Sequence, residues 1–149
     1  MVTLYVFSTE NWGRAETEVS SLMSLFAGVI AKKASEVNKK GYRLRFLGRR
    51  DELPLRVLTS VREAEELTRD NEALDFYVAL NYGGQAEIVD AVRRIVGDGL
   101  APEEIDAATF ARYLYAPDAP PVDLLIRTSG ELRVSNFLLW SIAYAEFYF

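Results

Sequence analysis

An α/β fold, a single layer of mainly parallel β-sheet flanked by helices on both faces, is what this sequence predicts. Short β-branched and aromatic runs at residues 2–7 (VTLYVF) and 74–80 (LDFYVAL) lack the polar alternation of a half-exposed strand. Stretches with apolar residues at helical spacing alternate with such runs. Three strands also run out into polar loops rich in small residues, STENWGR, NYGG and RTSGE. Strand and helix in alternation, joined by right-handed crossovers, give a parallel sheet covered on both sides. Ligands in such sheets sit beyond the carboxyl ends of the strands, so these loops are the candidate site walls if their strands are neighbours.

The elements follow in order. After the first strand, residues 8–15 (STENWGRA) form a loop crowded with hydrogen-bonding groups. From 16 to 39, Val19, Leu22, Met23, Phe26, Ile30, Ala34 and Val37 mark one face of a helix of about six turns, and Gly41 stops it. Residues 42–47 (YRLRFL) alternate as a second strand. Pro54 opens a second helix, with Leu55, Leu58, Val61 and Ala64 on its apolar face to residue 68. The third strand is 74–80, and Asn81, Tyr82, Gly83 and Gly84 read as a plain turn. Ile88, Val89, Val92, Ile95 and Val96 give the apolar face of the next helix, which ends at Gly97. A short helix at 108–115, a proline-bearing loop at 116–121, a strand at 122–126, a buried helix at 137–143 and a last strand at 146–149 complete the chain. No repeat, linker or low-complexity segment interrupts it, and residues 1–149 read as one domain.

Composition narrows the chemistry. The chain has no cysteine and no histidine, which removes disulfides, thiolate nucleophiles, histidine-based triads and imidazole proton shuttles. A net charge of −5 argues against a nucleic-acid footprint, which needs a basic face. No apolar run reaches the ~20 residues that span a bilayer, and the start has no signal-peptide pattern, so a cytoplasmic protein is expected. An anionic substrate would have to be held by a local arginine cluster.

Such a cluster lies between the fourth strand and the helix expected at 137–143. Arg127, Thr128, Ser129, Gly130, Glu131, Arg133, Ser135 and Asn136 occupy a break between two apolar runs. A strand that feeds a helix N-terminus through a small-residue turn aims several N–H groups at one spot and favours an anion there. Two arginines beside it suit a diphosphate, because guanidinium groups bind phosphate oxygens in a two-pronged way. The plainer alternative is that Ser135 or Asn136 is only an N-cap and the arginines are solvated.

This segment resembles the carboxy-terminal signature of the cis-prenyltransferases, the isoprenyl transferases typified by undecaprenyl diphosphate synthase. The resemblance is carried by Asp123, Arg127, Thr128, Gly130, Glu131, Arg133, Ser135, the run NFLLW at 136–140 and AYAE at 143–146. FSTENWGR followed by EV and LM, and LNYGG, resemble two further motifs of the family, so the match runs in register over the whole chain. The resemblance implies an undecaprenyl diphosphate synthase-like fold and the addition of isopentenyl diphosphate to an allylic diphosphate with cis geometry. It implies magnesium as cofactor and a hydrocarbon tunnel between a sheet and two helices. Arg127, Arg133, Val134 and Ser135 would hold the isopentenyl diphosphate, and Glu146 would bear on the magnesium directly or through water. Ser8, Thr9, Glu10, Asn11, Trp12 and Arg14 would line the reacting centre, with the catalytic Asn11 near the proton lost from isopentenyl C2. An amide is a poor proton acceptor, so Asn11 is read as orienting a water or a diphosphate oxygen that takes the proton. Val6, Met23, Phe26, Tyr42, Leu44, Leu74 and Phe76 lie on the elements that would enclose the tunnel, or are plain core. A homodimer, no nucleic-acid partner and peripheral membrane association through the lipid product are also implied.

Two departures stand against the family pattern. The family's catalytic aspartate lies in an Asp-Gly-Asn loop after a preceding strand, which these residues do not include, and family members continue beyond the last strand. An internal fragment of a longer protein, weakly stable and inactive alone, is the expectation. Smaller departures are Ala15, where proline is usual, and Leu132, where some members carry a histidine. The alternatives are a non-catalytic partner subunit that binds diphosphate and supports another chain's site, or an unrelated phosphate-binding α/β module.

Overall fold

Three of the expected strands stand side by side in the computed structural model, which describes residues 1–149. The chain divides into two compact units, Met1–Tyr82 and Gly83–Phe149. The first contains β1 (Val2–Ser8), a 3-10 turn at Thr9–Gly13, α1 (Glu16–Lys39), β2 (Tyr42–Leu47), α2 (Leu55–Thr68) and β3 (Leu74–Tyr82). The sheet order is β1-β3-β2, with both pairings parallel. Parallel neighbours need crossover connections, and α1 and α2 belong to them.

Successive strand residues face opposite sides, so Leu44, Phe46, Phe76, Val78 and Leu80 share the face on which α1 and α2 pack. Phe7, Val19, Met23, Leu53, Val57, Val61 and Leu80 form the main core, and Ala34, Leu44 and Ala64 a second cluster. Burial of that apolar surface is the main stabilising term. The buried Thr68 fastens α2 to the sheet: its hydroxyl donates to the Ala64 carbonyl at 2.8 Å and accepts from the Leu44 N–H at 3.0 Å. Leu55, expected on the buried face of α2, is 76% exposed. Val57, in the same first turn, is the buried residue instead.

β1 pairs irregularly at its carboxyl end. Tyr5 stands opposite Ala79, Phe7 opposite Leu80 and Ser8 opposite Tyr82. Val6 is the extra residue on β1 and Asn81 the extra residue on β3, two bulges that compensate each other. β3 therefore continues through Asn81 and Tyr82, which the sequence reading placed in a turn.

The second unit contains α3 (Gly84–Gly97), a 3-10 turn at Pro102–Glu104, α4 (Ala107–Ala111), β4 (Leu124–Ile126) and β5 (Glu146–Tyr148). β4 and β5 pair in parallel. Asp106 caps α4 by accepting from the Thr109 N–H at 2.7 Å, and Ala91, Ile95, Phe110 and Leu114 form the core. The apolar face of α3 differs from the expected one: Glu87, Ala91 and Ile95 are buried, while Val89, Val92 and Val96 are exposed. The valines fit a helical period, but the Glu87 carboxylate turns that side inward by accepting from the Tyr115 N–H at 2.9 Å.

The helix expected at 137–143 does not form. The segment is a succession of turns, closed by bonds such as Ser141 N–H to the Leu138 carbonyl at 2.8 Å. Ser135, Asn136 and Leu138 have φ of 49°, 62° and 47°, a left-handed conformation that a right-handed helix cannot contain. Asn136 has a packing reason for it. Its backbone carbonyl accepts from the Gly84 N–H at 2.7 Å and its side-chain oxygen from the Gln85 N–H at 2.8 Å, so it satisfies the amino end of α3.

Candidate functional site

The Ser8–Trp12 wall leaves the carboxyl end of β1 as a 3-10 turn. The Asn11 side-chain oxygen accepts from the Ser8 N–H at 2.9 Å, which fixes the orientation of the amide because a backbone N–H needs an acceptor. Its NH2 group is thereby the part left to meet a ligand, and that group donates to oxygen rather than accepting a proton. The Thr9 hydroxyl donates to Glu10 at 3.2 Å. Arg14, which closes the 3-10 turn, pairs at 2.6 Å with Glu18 in the first turn of α1, and both are half-exposed.

Trp12 is held from two sides. Its ring packs edge-on against Phe7, with centroids 5.5 Å apart, and its indole N–H donates to the Asn81 side-chain oxygen at 2.7 Å. The Asn81 NH2 donates to the Arg49 carbonyl at 3.0 Å and to Glu52 at 2.9 Å. The loop after β2 therefore belongs to this rim, a role its sequence does not announce. The one local signal was a polar residue ending an apolar strand. Tyr5, one turn of the pleat below, donates to the Tyr82 carbonyl at 3.1 Å. Burial, with the Glu10 carboxylate adding to it, pushes the Tyr5 hydroxyl up to about 12.

Beneath this wall lies an apolar cavity of about 300 Å³ between α1 and the sheet. Leu4 and Val6 of β1 line it, facing Phe26 and Ile30 of α1 above a floor that includes Phe76 and Val78. Of the residues expected to enclose a tunnel, Val6, Phe26, Leu44 and Phe76 line the cavity. Met23 is instead in the main core, and Tyr42 and Leu74 are absent from the lining. Lys33 is the single charged residue of the wall.

In the second unit the arginine loop is drawn together by Glu131. Its carboxylate accepts from both Arg127 and Arg133, the latter at 2.8 Å, so two like charges are held side by side. Arg127 also donates to the Ser129 hydroxyl at 3.0 Å, to the Arg133 carbonyl at 2.6 Å and to the Ser135 hydroxyl at 2.5 Å. Arg133 is the freer of the two, its side chain 69% exposed. The N–H groups of a following helix play no part here, since no helix follows and the nearby amino end of α3 is taken by Asn136.

Glu146 is not brought to the arginines. It stands opposite Leu124 in the β4–β5 register, three residues before Arg127, which is about 10 Å along the strand. Its side chain is exposed. No group of three or more His, Cys, Asp or Glu residues converges anywhere in the chain. Magnesium does not require one, because it takes one or two carboxylates and completes its shell with water and phosphate oxygens. An exposed carboxylate such as Glu146 fits that donor chemistry. No helix is long and apolar enough to cross a membrane.

Comparison with known proteins gives the family and the fold. The model of the family described as "Putative undecaprenyl diphosphate synthase" matches residues 1–149. The chain is 47% identical over 152 residues to a trans,polycis-polyprenyl diphosphate synthase, (2Z,6E)-farnesyl diphosphate specific, from Thermobifida fusca, covering 99% of this chain and 54% of that protein. It is 46% identical over 150 residues to an isoprenyl transferase of Thermotoga maritima, covering 99% of this chain and 64% of that protein. Among solved structures it is similar to lavandulyl diphosphate synthase from Lavandula x intermedia in complex with dimethylallyl diphosphate. The TM-score is 0.93 at 33% identity, over 99% of this chain and 66% of that one. A probable undecaprenyl diphosphate synthase from Campylobacter jejuni gives a TM-score of 0.90 at 33% identity, over 99% and 69%. The chain thus spans between 54% and 64% of the length of these two curated relatives.

Proposed function

Because the chain belongs to the undecaprenyl diphosphate synthase family, the cis-prenyltransferases, we propose that it is part of one prenyl-transferring domain that condenses isopentenyl diphosphate with an allylic diphosphate. The observation that carries this reading is the apolar cavity lined by Leu4 and Val6 of β1, the strand that leads directly into the polar Ser8–Trp12 wall. A substrate with a charged head and a growing hydrocarbon tail needs that succession of surfaces.

In the reaction the allylic carbon–oxygen bond breaks, releasing diphosphate, a carbon–carbon bond forms to the isopentenyl terminal carbon, and C2 gives up a proton. Arg127, Arg133 and Ser135, with Val134 beside them, bind the isopentenyl diphosphate, and Glu131 keeps the two guanidinium groups adjacent before the anion arrives. Such preorganised charge needs no rearrangement at the moment of reaction. Ser8, Thr9, Glu10, Trp12 and Arg14 line the reacting end of the allylic substrate. Asn11, whose carbonyl is engaged by Ser8, presents NH2 protons that orient a diphosphate oxygen or water as the proton's destination. Glu146 would help to hold magnesium, which would supply charge neutralisation for the departing diphosphate. The working protein is a homodimer in the cytoplasm that meets the membrane through its lipid product.

The full-length parent protein, incubated with farnesyl diphosphate, labelled isopentenyl diphosphate and magnesium, should incorporate label into longer allylic diphosphates. Incorporation that appears only when a second, different chain is added supports the partner-subunit reading instead. No incorporation with any allylic starter, with or without a second chain, would overturn the proposal. The 149 residues assayed alone should not turn over.

A further inference from the structure

We infer that Asn81 is a positioning residue of the reaction, holding Trp12 and through it the Ser8–Trp12 wall against the loop that follows β2. The inference rests on the reading of that wall as the reacting side of the site. Asn81 is the residue that the β1–β3 ladder passes over, since Phe7 stands opposite Leu80 and Ser8 opposite Tyr82. Released from pairing with β1, its backbone carbonyl turns to the Arg49 N–H at 3.0 Å. Its φ of 52° is a left-handed conformation that asparagine tolerates better than most residues. The side chain is fully buried, and its bonds admit one orientation only. An indole N–H must meet the carbonyl oxygen, and a main-chain carbonyl and a carboxylate must meet the NH2. A plain core position would be filled by an apolar residue of this size. Here a single amide joins groups from the carboxyl ends of all three strands of the sheet, β1 through Trp12, β2 through Arg49 and Glu52, and β3 through itself. Burial makes such a network rigid as long as every member is satisfied.

The test uses the full-length protein. The Trp12 indole N–H is followed by ¹⁵N-labelled NMR, its resonance assigned by its loss in Trp12→Phe. In Asn81→Leu the resonance should move upfield and exchange faster with solvent. In the same variant kcat should fall by ~100-fold, the scale of a small misplacement of reacting groups, while the KM for isopentenyl diphosphate changes little because the arginine loop is untouched. Glu52→Leu, at an exposed position, should move the same resonance and lower kcat to a lesser degree. Glu52→Gln, whose carbonyl can still accept from Asn81, should restore both. If Asn81→Leu does not fold, the Glu52 pair decides. An indole resonance that shifts with no change in kcat overturns the positioning role, and one that does not move in either leucine variant overturns the network. Should the unaltered parent prove inactive, the proposed function fails, yet the resonance still reports whether Asn81 holds Trp12.

Discussion

A Cβ placed on Gly48 would lie 2.1 Å from the carbonyl oxygen of Leu80. Gly48 also has φ of 125°, a backbone conformation that essentially requires glycine. The loop after β2 reaches the end of β3 only because this position lacks a side chain. Gly48→Ala should therefore destabilise the protein by about 3 kcal/mol or more, from backbone strain and overlap together. Thermal unfolding of Gly48→Ala beside Gly97→Ala, where an added Cβ meets nothing within 4 Å, checks this. Equal melting temperatures would refute the close approach.

Arg133→Ala should raise the KM for isopentenyl diphosphate in the parent enzyme by roughly 10- to 100-fold, as expected for losing one charge-assisted contact of ~1.5–3 kcal/mol. Its side chain is exposed and has Glu131 as ion-pair partner, so folding should be unaffected. Arg127→Ala should lower stability as well, because it leaves Glu131, Ser129 and Ser135 without their shared donor. Steady-state kinetics and melting curves of the two variants separate these effects.

What could be read from the sequence depended on whether a signal was local. α1 and β2 have the predicted bounds, Glu16–Lys39 and Tyr42–Leu47, because the periodicity is regular and Gly41 ends the helix within the chain's own neighbourhood. The helix at 137–143 failed because its apolar spacing says nothing about Asn136, which turns left-handed to cap α3 some 51 residues away. The role of Asn81 was hidden for the same reason: Trp12 and Glu52 are 69 and 29 positions distant. The arginines and the Ser8–Arg14 loop were legible as residues, whereas the pairing of both arginines with Glu131 belongs to tertiary structure.

Raising the pH should destabilise the fold through Tyr5. Its hydroxyl rises from the ordinary 10.0 to about 12 in the folded protein, so the unfolded chain loses its proton first and stability falls between those values. Tyr5→Phe should cost about 0.5–1.5 kcal/mol at neutral pH, the worth of its bond to the Tyr82 carbonyl, yet decline less steeply above pH 10. Urea titrations at several pH values measure this, and parallel decline of both proteins would exclude Tyr5 as the source.

Acid should act through Asp75. Arg43, opposite it in the β2–β3 register and bonded at 2.5 Å, holds its carboxyl below the usual value. A depressed carboxylate contributes stability that is complete above about pH 4 and is lost as pH falls through the folded value. The pair is about one-third exposed, so the contribution is that of a partly screened surface bridge. Asp75→Asn should flatten the acid limb of the stability curve in low salt and have less effect in high salt.

Glu146→Gln should move the magnesium dependence of the parent enzyme to higher concentration without changing its melting temperature, since the side chain is exposed on a three-residue strand. Superimposable magnesium titrations would assign Glu146 a purely structural place.

The strand order β1-β3-β2 bears on synthesis. β3 is the middle strand, and it is also the last of the three to leave the ribosome. Until residues 74–82 emerge, neither β1 nor β2 can pair with β3, and the face of α1 that packs on the sheet is incompletely covered. Parallel pairing across so many residues is slow, and unpaired strand edges in a nascent chain invite association. A ribosome stalled before β3 emerges should therefore hold a chain that binds chaperones, and release from that state should follow once residues 74–82 have cleared the exit tunnel.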